Sequence, residues 1–384
     1  MSNQVINNHD SALKLAELAC ESPVWIQNPQ QLEDCIQQWK QSCLLAIDTE
    51  FMRERTYYPQ LALVQISDGK QVWLVDSVTL GDHQSLAQIL LDPSVIKVLH
   101  SPREDLEVLQ LSVGALPSPI FDTKAAAALC GLSLQSSYGS LLADTLNVHL
   151  DKEQARSDWL KRPLSPEQVA YACNDVAYLP ILASVLEQQL KTLERWEWFQ
   201  ADMARLVELS LNPISPELLY TTISGAGRLY DVELSVLQAL CQWREITAQQ
   251  ANLPKTFIIR NDGLMKLVEC MPASTERLQQ LNILKPSQIR RHGKAIVDCI
   301  RDAQSKPPPP PVPRLDIAQQ QALKKAQKFL RNKAEGLRLE PSVLASRRDL
   351  ERWLKDGEQH IPPRLQGWRW ELLGEDLGAI LHRQ

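Results

Sequence analysis

The sequence predicts a mixed α/β domain followed by two all-helical domains. Strand and helix signals alternate through roughly the first 210 residues, and strand signals stop after Leu211. A run of prolines then divides the helical remainder. The predicted boundaries are 1–215 for the α/β domain, 225–305 for the first helical domain, 306–314 for a proline-rich linker, and 315–384 for the second helical domain.

Periodicity and turn signals predict the strands of the α/β domain. Leu44–Phe51 is expected to be a central strand because it begins with four apolar residues. Asp68-Gly69 is a strong hairpin signal between the strands predicted at 61–67 and 71–76. The other elements expected are an edge strand at 23–26, a helix at 84–91, a strand at 95–99, a strand at 120–121 and a helix at 123–129.

Two helices are predicted to begin with the same type of N-terminal motif. Ser101-Pro-Arg-Glu104 is interpreted as a cap, a first-turn proline and the third position of a capping box, and Ser165-Pro-Glu-Gln168 repeats the pattern. The second helix is expected to extend toward Leu190. Pro180 should kink it, because proline removes a backbone donor.

The proline run from Lys306 to Arg314 favours an extended polyproline II spacer. It predicts that the second helical domain is held away from the rest of the chain. The alternative is a ligand for a proline-binding domain.

Charge is unevenly distributed along the chain. Residues 1–210 carry a net charge of −12, whereas residues 211–384 carry +7. An acidic half suits a metal site and a basic half suits a polyanion such as nucleic acid, although two ordinary solvated surfaces would give the same totals.

Composition restricts the location of the protein. The eight cysteines form no C-x-x-C pair, and the N-terminus lacks the pattern of a signal peptide. No apolar run approaches the ~18 residues of a membrane span. The sequence therefore predicts a cytoplasmic protein with free thiols and no membrane partner.

Four carboxylates are candidate metal ligands. Asp48 and Glu50 lie two apart on a predicted strand, so both point to one face, where a divalent cation would compensate them. The alternative is a pair of acids at an exposed strand end. Asp105 lies near a helix start, where an aspartate is also common for dipole reasons. Tyr171 and Asp175 share one helix face, which fits either a metal site or a buried hydroxyl with its acceptor.

Taken together, these residues resemble the three motifs of the DEDD superfamily of 3′→5′ exonucleases, in its tyrosine variant. The motifs are Ile47-Asp-Thr-Glu-Phe51, His100-Ser-Pro-Arg-Glu-Asp-Leu-Glu-Val-Leu109 and Tyr171-Ala-Cys-Asn-Asp175. The resemblance implies a ribonuclease H-like exonuclease domain. It also implies that Asp48, Glu50, Asp105 and Asp175 bind two divalent ions, Mg²⁺ or Mn²⁺, while Tyr171 orients the attacking water.

Further segments are similar to the ribonuclease D branch of this superfamily, and the similarity covers nearly the whole chain. They are 56–61, 157–164, 243–244, 254–260, 289–294, 344–348, 367–372 and Leu150-Asp-Lys152. This branch implies that both helical domains are of the HRDC (helicase and RNase D C-terminal) type.

Three further residues are candidates for binding the terminal nucleotide of RNA. Phe51 would stack on or beside the last base, and Gln65 and His100 would contact the nucleotide. Core packing is the alternative for Phe51, and an ordinary hydrogen-bonded histidine is the alternative for His100.

The resemblance implies an exoribonuclease that releases 5′-nucleoside monophosphates from RNA 3′ ends and trims tRNA precursors and other small structured RNAs. The protein is expected to be a monomer. Two alternatives remain open. The same metal chemistry would serve a 3′→5′ DNA exonuclease, and a catalytically silent nucleic-acid adaptor would share the fold. No Walker-type phosphate loop is present, so a helicase is excluded.

Overall fold

The computed structural model describes residues 2–150, 157–211, 214–312 and 314–382. Asp151 and Lys152 of one family-like segment, and position 313 of the proline run, lie outside these ranges. The chain divides into two compact units. The first, the sheet unit, comprises residues 1–52, 60–211 and 316–384, and the second, the helical unit, comprises residues 53–59 and 212–315.

The sheet unit contains one six-stranded mixed sheet in the order β1-β4-β3-β2-β5-β6. β3 pairs antiparallel with β2 and β4, and the other neighbours are parallel. The strands are β1 (Val24–Ile26), β2 (Leu44–Met52), β3 (Gln60–Ser67), β4 (Val72–Val75), β5 (Ile96–Leu99) and β6 (Ile120–Asp122). The predicted central position of β2 and the edge position of β1 are both confirmed.

The β3–β4 hairpin forms at the predicted turn. The carboxylate of Asp68 accepts hydrogen bonds from the backbone N–H groups of Lys70 and Gln71, both at 2.9 Å. Gly69 has φ +86°, and a Cβ there would lie 3.3 Å from Cβ of Pro180. Glycine therefore serves both the turn conformation and the close packing against a helix.

Among the described residues up to 211, the sheet unit contains ten α-helices, which agree with the predicted alternation of strands and helices. They are α1 (Ser2–Glu21), α2 (Pro29–Trp39), α3 (Ser77–Leu80), α4 (Ala87–Leu90), α5 (Arg103–Ser112), α6 (Thr123–Leu129), α7 (Tyr138–Leu146), α8 (Pro166–Ala177), α9 (Leu179–Thr192) and α10 (Trp196–Leu211).

One of the two predicted capping boxes is confirmed and the other is wrong. At the start of α8, the Ser165 side chain accepts from the N–H of Gln168, whose side chain accepts from the N–H of Ser165. At the start of α5, by contrast, no side chain caps the helix. Ser101 has φ +59° and its N–H donates to Asp122 at 2.9 Å, so a long-range partner replaces the local cap.

The expected kink near Pro180 is a break at Tyr178, which separates α8 from α9. Together these helices (166–192) are long enough and apolar enough to cross a membrane, by length and composition only. The sequence predicted no segment with these properties, and that expectation is corrected here. However, 61% of the most apolar window is buried inside the protein. Such burial is typical of the core helix of a soluble protein.

The helical unit has its own apolar core, built from residues between Tyr220 and Ala303. Its helices are α11 (Asp231–Ala251), α12 (Lys255–Ile258), α13 (Asn261–Cys270), α14 (Thr275–Gln280) and α15 (Pro286–Gln304), preceded by short 3₁₀ turns at Pro216–Thr222 and Ala226–Arg228. Buried Arg244 donates to Ile259 O at 3.0 Å and to Asn261 Oδ1 at 2.8 Å, which ties α11 to the start of α13.

The proline run packs against the helical unit over part of its length. Pro309 is buried, and the Tyr220 hydroxyl donates to the carbonyl oxygen of Pro310 at 2.7 Å. Because this backbone is bound, it does not act as a free spacer.

The last four helices belong to the sheet unit. They are α16 (Ile317–Leu337), α17 (Pro341–Leu344), α18 (Arg347–Asp356) and α19 (Trp368–His382). Arg369 forms a two-pronged ion pair with Asp202 of α10, at 2.5 and 2.8 Å, and the Trp368 ring stacks on Trp198 at 4.3 Å between centroids. The expectation of a terminal module held apart is therefore wrong, since these side chains fasten it to α10.

Candidate active site

The site forms where β2 extends beyond its parallel neighbour. β5 pairs with β2 only as far as Ala46, so Asp48 and Glu50 have β3 on one side and the start of α5 on the other. Their side chains share one face, as period-2 alternation predicts. A bulge between Glu50 and Phe51 interrupts the register directly after the second acid.

Three of the four predicted metal ligands converge. One carboxylate oxygen from each of Asp48, Glu50 and Asp175 lies within 4.8 Å of the other two. Asp175 reaches the strand from α8, which packs against β2. Three oxygens at this spacing form a ligand set for a hard divalent cation.

Asp105 lies beside this triad rather than within it. It is 9% exposed in the first turn of α5, and its Oδ1 accepts a hydrogen bond from Thr49 Oγ1 at 2.5 Å. Its charge still raises the pKa values of Asp48 and Glu50. The charges of all four predicted acids therefore influence one another, and Thr49 holds Asp105 in place through its hydrogen bond.

Tyr171 lies one turn before Asp175 on α8, as the spacing predicts, and its hydroxyl is near enough to favour the ionised form of the Asp175 carboxyl. The ring lies 6.0 Å from that of buried Trp159. Burial and the charges of Asp175, Glu50 and Asp48 raise the pKa of this hydroxyl far above its usual range. In the metal-free site Tyr171 is therefore a proton donor, and it is not a base.

Burial and mutual repulsion oppose ionisation of the acids. Burial first, and then the charges of Asp105, Asp175 and Glu50, raise the pKa of Asp48. Burial likewise raises the pKa of Glu50 to about 9, of Asp175 to about 7 and of Asp105 to about 6. A bound divalent cation would reverse these shifts, because it compensates the carboxylate charges.

The metal-free protein should lose stability as the pH rises. A raised folded-state pKa means that the native state holds more protons than the unfolded state above pH ~4, so the free energy of unfolding falls with pH until the folded pKa values are passed. We expect the melting temperature in EDTA to fall between pH 5 and 9. Glu50→Gln should flatten the fall between pH 7 and 9, and Mg²⁺ or Mn²⁺ should reduce it. A melting temperature that stays constant over this range would contradict the shifts.

Gln65 provides a further observation that a metal site fits. It lies opposite Asp48 in the β2–β3 register and is fully buried. Among the described residues neither its amide nitrogen nor its amide oxygen has a hydrogen-bond partner. An unpaired buried amide is costly, so a polar partner from outside the chain, such as a metal-bound water, is expected beside Asp48.

The other two nucleotide-binding candidates have different surroundings. His100 is held through Nδ1 at 2.9 Å from Thr123 Oγ1, and burial lowers its pKa to about 4, so it is neutral at pH 7. These contacts fit the ordinary hydrogen-bonded alternative. Phe51 is partly exposed after the bulge, and it stays a candidate for base stacking.

Sequence reasoning missed Thr49 and Tyr138. Thr49 lies between two predicted ligands, but its bond to Asp105 spans 56 residues. Tyr138 lies at the start of α7, and its hydroxyl donates to the carbonyl of Asn174 at 3.2 Å, directly before Asp175. No local signal marks either contact, because both depend on how the helices pack on the sheet.

Comparison with known proteins identifies the domains. The model of a 3′-5′ exonuclease family matches residues 23–191, and the model of the HRDC domain matches residues 233–300. These matches confirm the exonuclease domain and the first HRDC domain. The HRDC nature of the last four helices stays a prediction.

Relatives match along most of the chain. Ribonuclease D of Pseudomonas paraeruginosa is 35% identical over 365 residues, which cover 92% of this chain and 96% of that protein. Ribonuclease D of Escherichia coli K12 is 36% identical over 351 residues, which cover 88% and 92%.

A solved structure of a ribonuclease D also matches this chain over most of its length. The crystal structure of Escherichia coli RNase D, described as an exoribonuclease involved in structured RNA processing, superposes with a TM-score of 0.88 at 32% identity. The match covers 94% of this chain and 98% of that one.

Proposed function

Because this chain belongs to the ribonuclease D family of 3′→5′ exoribonucleases, we propose that it trims the 3′ ends of tRNA precursors and other small structured RNAs. The products are 5′-nucleoside monophosphates. The observation that carries the proposal is the convergence of Asp48, Glu50 and Asp175 beside the hydroxyl of Tyr171.

Two divalent ions, Mg²⁺ or Mn²⁺, are the expected cofactors. When bound, such ions supply the positive charge that activates a water and stabilises the leaving 3′ oxygen. Asp48, Glu50, Asp105 and Asp175 would hold these ions, with Asp175 and Glu50 serving the activation of the water, Asp105 the departure of the 3′ oxygen, and Asp48 both. The convergence of the half-buried carboxylates of Asp48, Glu50 and Asp175 and the unpaired amide of Gln65 support this assignment.

Tyr171 is proposed to orient the attacking water. Its hydroxyl is near enough to Asp175 to favour the ionised carboxylate, so a water held by that acid would be within reach of the same hydroxyl. Phe51 is proposed to contact the last base. Gln65 is buried, so its proposed contact with the nucleotide would run through a bound water, and His100 would shape the wall of the site.

We further propose a cytoplasmic monomer with an exonuclease domain at 1–215, HRDC-type domains at 225–305 and 315–384, and a linker at 306–314. The eight cysteines, all of which are free thiols, support a reducing compartment.

The direct test is digestion of a 3′-extended tRNA with Mg²⁺, with a DNA of the same sequence in parallel. We expect stepwise release of nucleoside 5′-monophosphates from the RNA, which EDTA stops. Equal or faster digestion of the DNA would favour the DNA exonuclease. Binding without hydrolysis under all metals would favour the adaptor.

The basic charge of the C-terminal region should contact RNA through one face of α16. Lys324, Lys328 and Arg331 are exposed and lie within about 60° of one another on a helix of ~100° per residue. By the same measure, Lys325 lies about 90° and Lys333 about 170° from the middle of that face, and Lys333 is half-buried. Because the terminal helices are fastened to α10, charge reversal is a cleaner test than truncation, which would also expose the α10 face.

The Lys324→Glu/Arg331→Glu variant should weaken binding of the tRNA precursor. It should also flatten the slope of log K against log salt by about 0.7–0.9 for each lost phosphate contact. Turnover on a short, unstructured RNA at saturation should stay near that of the wild type. Lys325→Glu/Lys333→Glu is the control, with the same change of charge on the same helix. Equal slopes for the two variants would show that this face does not contact RNA.

A further inference from the structure

The loop Arg53–Pro59 connects two strands of the catalytic sheet, yet it belongs to the helical unit. It follows directly after β2, the strand that carries Asp48 and Glu50. It also contains most of the family-like segment at 56–61, to which the catalytic proposal gives no role.

Asn252 binds the backbone of this loop. Its Oδ1 accepts hydrogen bonds from the N–H groups of Tyr57 at 3.0 Å and Tyr58 at 3.1 Å. Asn252 also ends α11 in the left-handed conformation, with φ +46°, a position that asparagine tolerates well. One residue thus terminates the helix and fixes two consecutive amides of the loop.

The Tyr57 side chain makes a second set of contacts with α11. Its hydroxyl donates to Glu245, which is 7% exposed, and it accepts from Gln249 Nε2 at 3.1 Å. Lys255 completes the cluster, because its Nζ lies 3.1 Å from Glu245 Oε2 and 5.8 Å from the centroid of the Tyr57 ring. A buried acid is thus paired with both a hydroxyl and a cation, an arrangement that resists displacement.

The ladder that leads into the loop is irregular. Glu50 pairs with Leu63 but Phe51 pairs with Leu61, so Ala62 of β3 is the extra residue of a bulge, and only the pairs Phe51–Leu61 and Met52–Gln60 follow it. A bulge bends the strand that carries it and interrupts the ladder, so these last two pairs are set apart from the regular sheet. The direction of Phe51, and of the strand end next to Glu50, therefore depends on what holds the far side of the loop.

We propose that Asn252 and Tyr57 are positioning residues for the exonuclease reaction, through which the HRDC domain holds the β2–β3 loop and so keeps Glu50 and Phe51 aligned. The proposal rests on the exonuclease activity proposed above. A misplacement of about 1 Å by a distant change can cost on the order of 10²-fold in rate, so a loosened loop should reduce turnover measurably.

The test uses three full-length variants on a short RNA. Asn252→Gly keeps the left-handed backbone and removes the acceptor, and we expect kcat to fall about tenfold or more while KM changes less. Asn252→Asp keeps an acceptor oxygen and should retain most of the activity. Asn282→Gly is the control, since it makes the same change at φ +50° in the same unit.

Hydrogen exchange of the Tyr57 and Tyr58 amides gives a readout independent of activity. It should be faster in Asn252→Gly and unchanged in Asn282→Gly. Faster exchange with wild-type kcat would overturn the positioning role, and so would an equal loss of kcat in Asn252→Asp and Asn252→Gly. Absence of activity in the wild type, with exchange as expected, would instead overturn the proposed function.

Discussion

Replacing Asp48 or Asp175 with alanine should abolish hydrolysis while leaving RNA affinity largely intact. Each change removes one of three carboxylates whose oxygens lie within 4.8 Å of one another, so the site loses a ligand that no neighbour replaces. Turnover should be measured on the 3′-extended tRNA with saturating Mg²⁺. More than about a tenth of wild-type turnover in either variant would contradict the two-metal assignment.

A matched control lies one residue before the fourth acid. Glu104 is exposed in the first turn of α5, and Glu104→Ala removes a carboxylate without touching the triad. It should keep near-wild-type turnover. Without metal, Asp48→Ala should melt at the same temperature as the wild type or higher, because the acids repel one another. A large destabilisation in EDTA would mean that Asp48 has a structural role.

Tyr171→Phe should reduce turnover by roughly 10²-fold or more with little change in RNA affinity. Phenylalanine keeps the ring beside Trp159 and removes only the hydroxyl, which favours the ionised form of Asp175. Single-turnover rates and binding should be measured separately, so that a loss of chemistry is distinguished from a loss of substrate.

Tyr178→Phe provides the comparison for Tyr171. Tyr178 lies seven residues later, at the junction of α8 and α9, and its variant also loses one hydroxyl. It should remain close to wild type. Unchanged turnover in Tyr171→Phe would assign Tyr171 to packing, and equal losses in both variants would point to the α8–α9 junction rather than to the chemistry.

The sequence predicted those elements that are determined by residues within a few positions of themselves. The apolar start of β2, the Asp68-Gly69 turn and the Ser165 capping box each lie within a few residues of the structure they specify. The same reasoning failed at Ser101, where the cap motif is present but Asp122 binds the backbone. A tertiary partner overrode a local preference there.

In the candidate site, too, the features set by local spacing could be predicted, and those set by tertiary packing could not. The four acids and Tyr171 could be recognised because their spacing on a strand and a helix sets which side chains share a face. The bond from Thr49 to Asp105 and the complete burial of Gln65 could not, since both arise only when α5 and β3 pack beside β2. The Arg369–Asp202 pair was missed for the same reason, and with it the attachment of the terminal helices.

That attachment has a consequence for synthesis on the ribosome. Asp202 and Arg369 are separated by 167 positions, and residues 212–315 fold as another unit between them. At ~5–20 residues per second, on the order of ten to thirty seconds pass between translation of the two partners. During that interval the Trp198 face of α10 has no partner in the nascent chain. The sheet unit is thus begun before the helical unit and finished after it, and its completion waits until Arg369 has been translated.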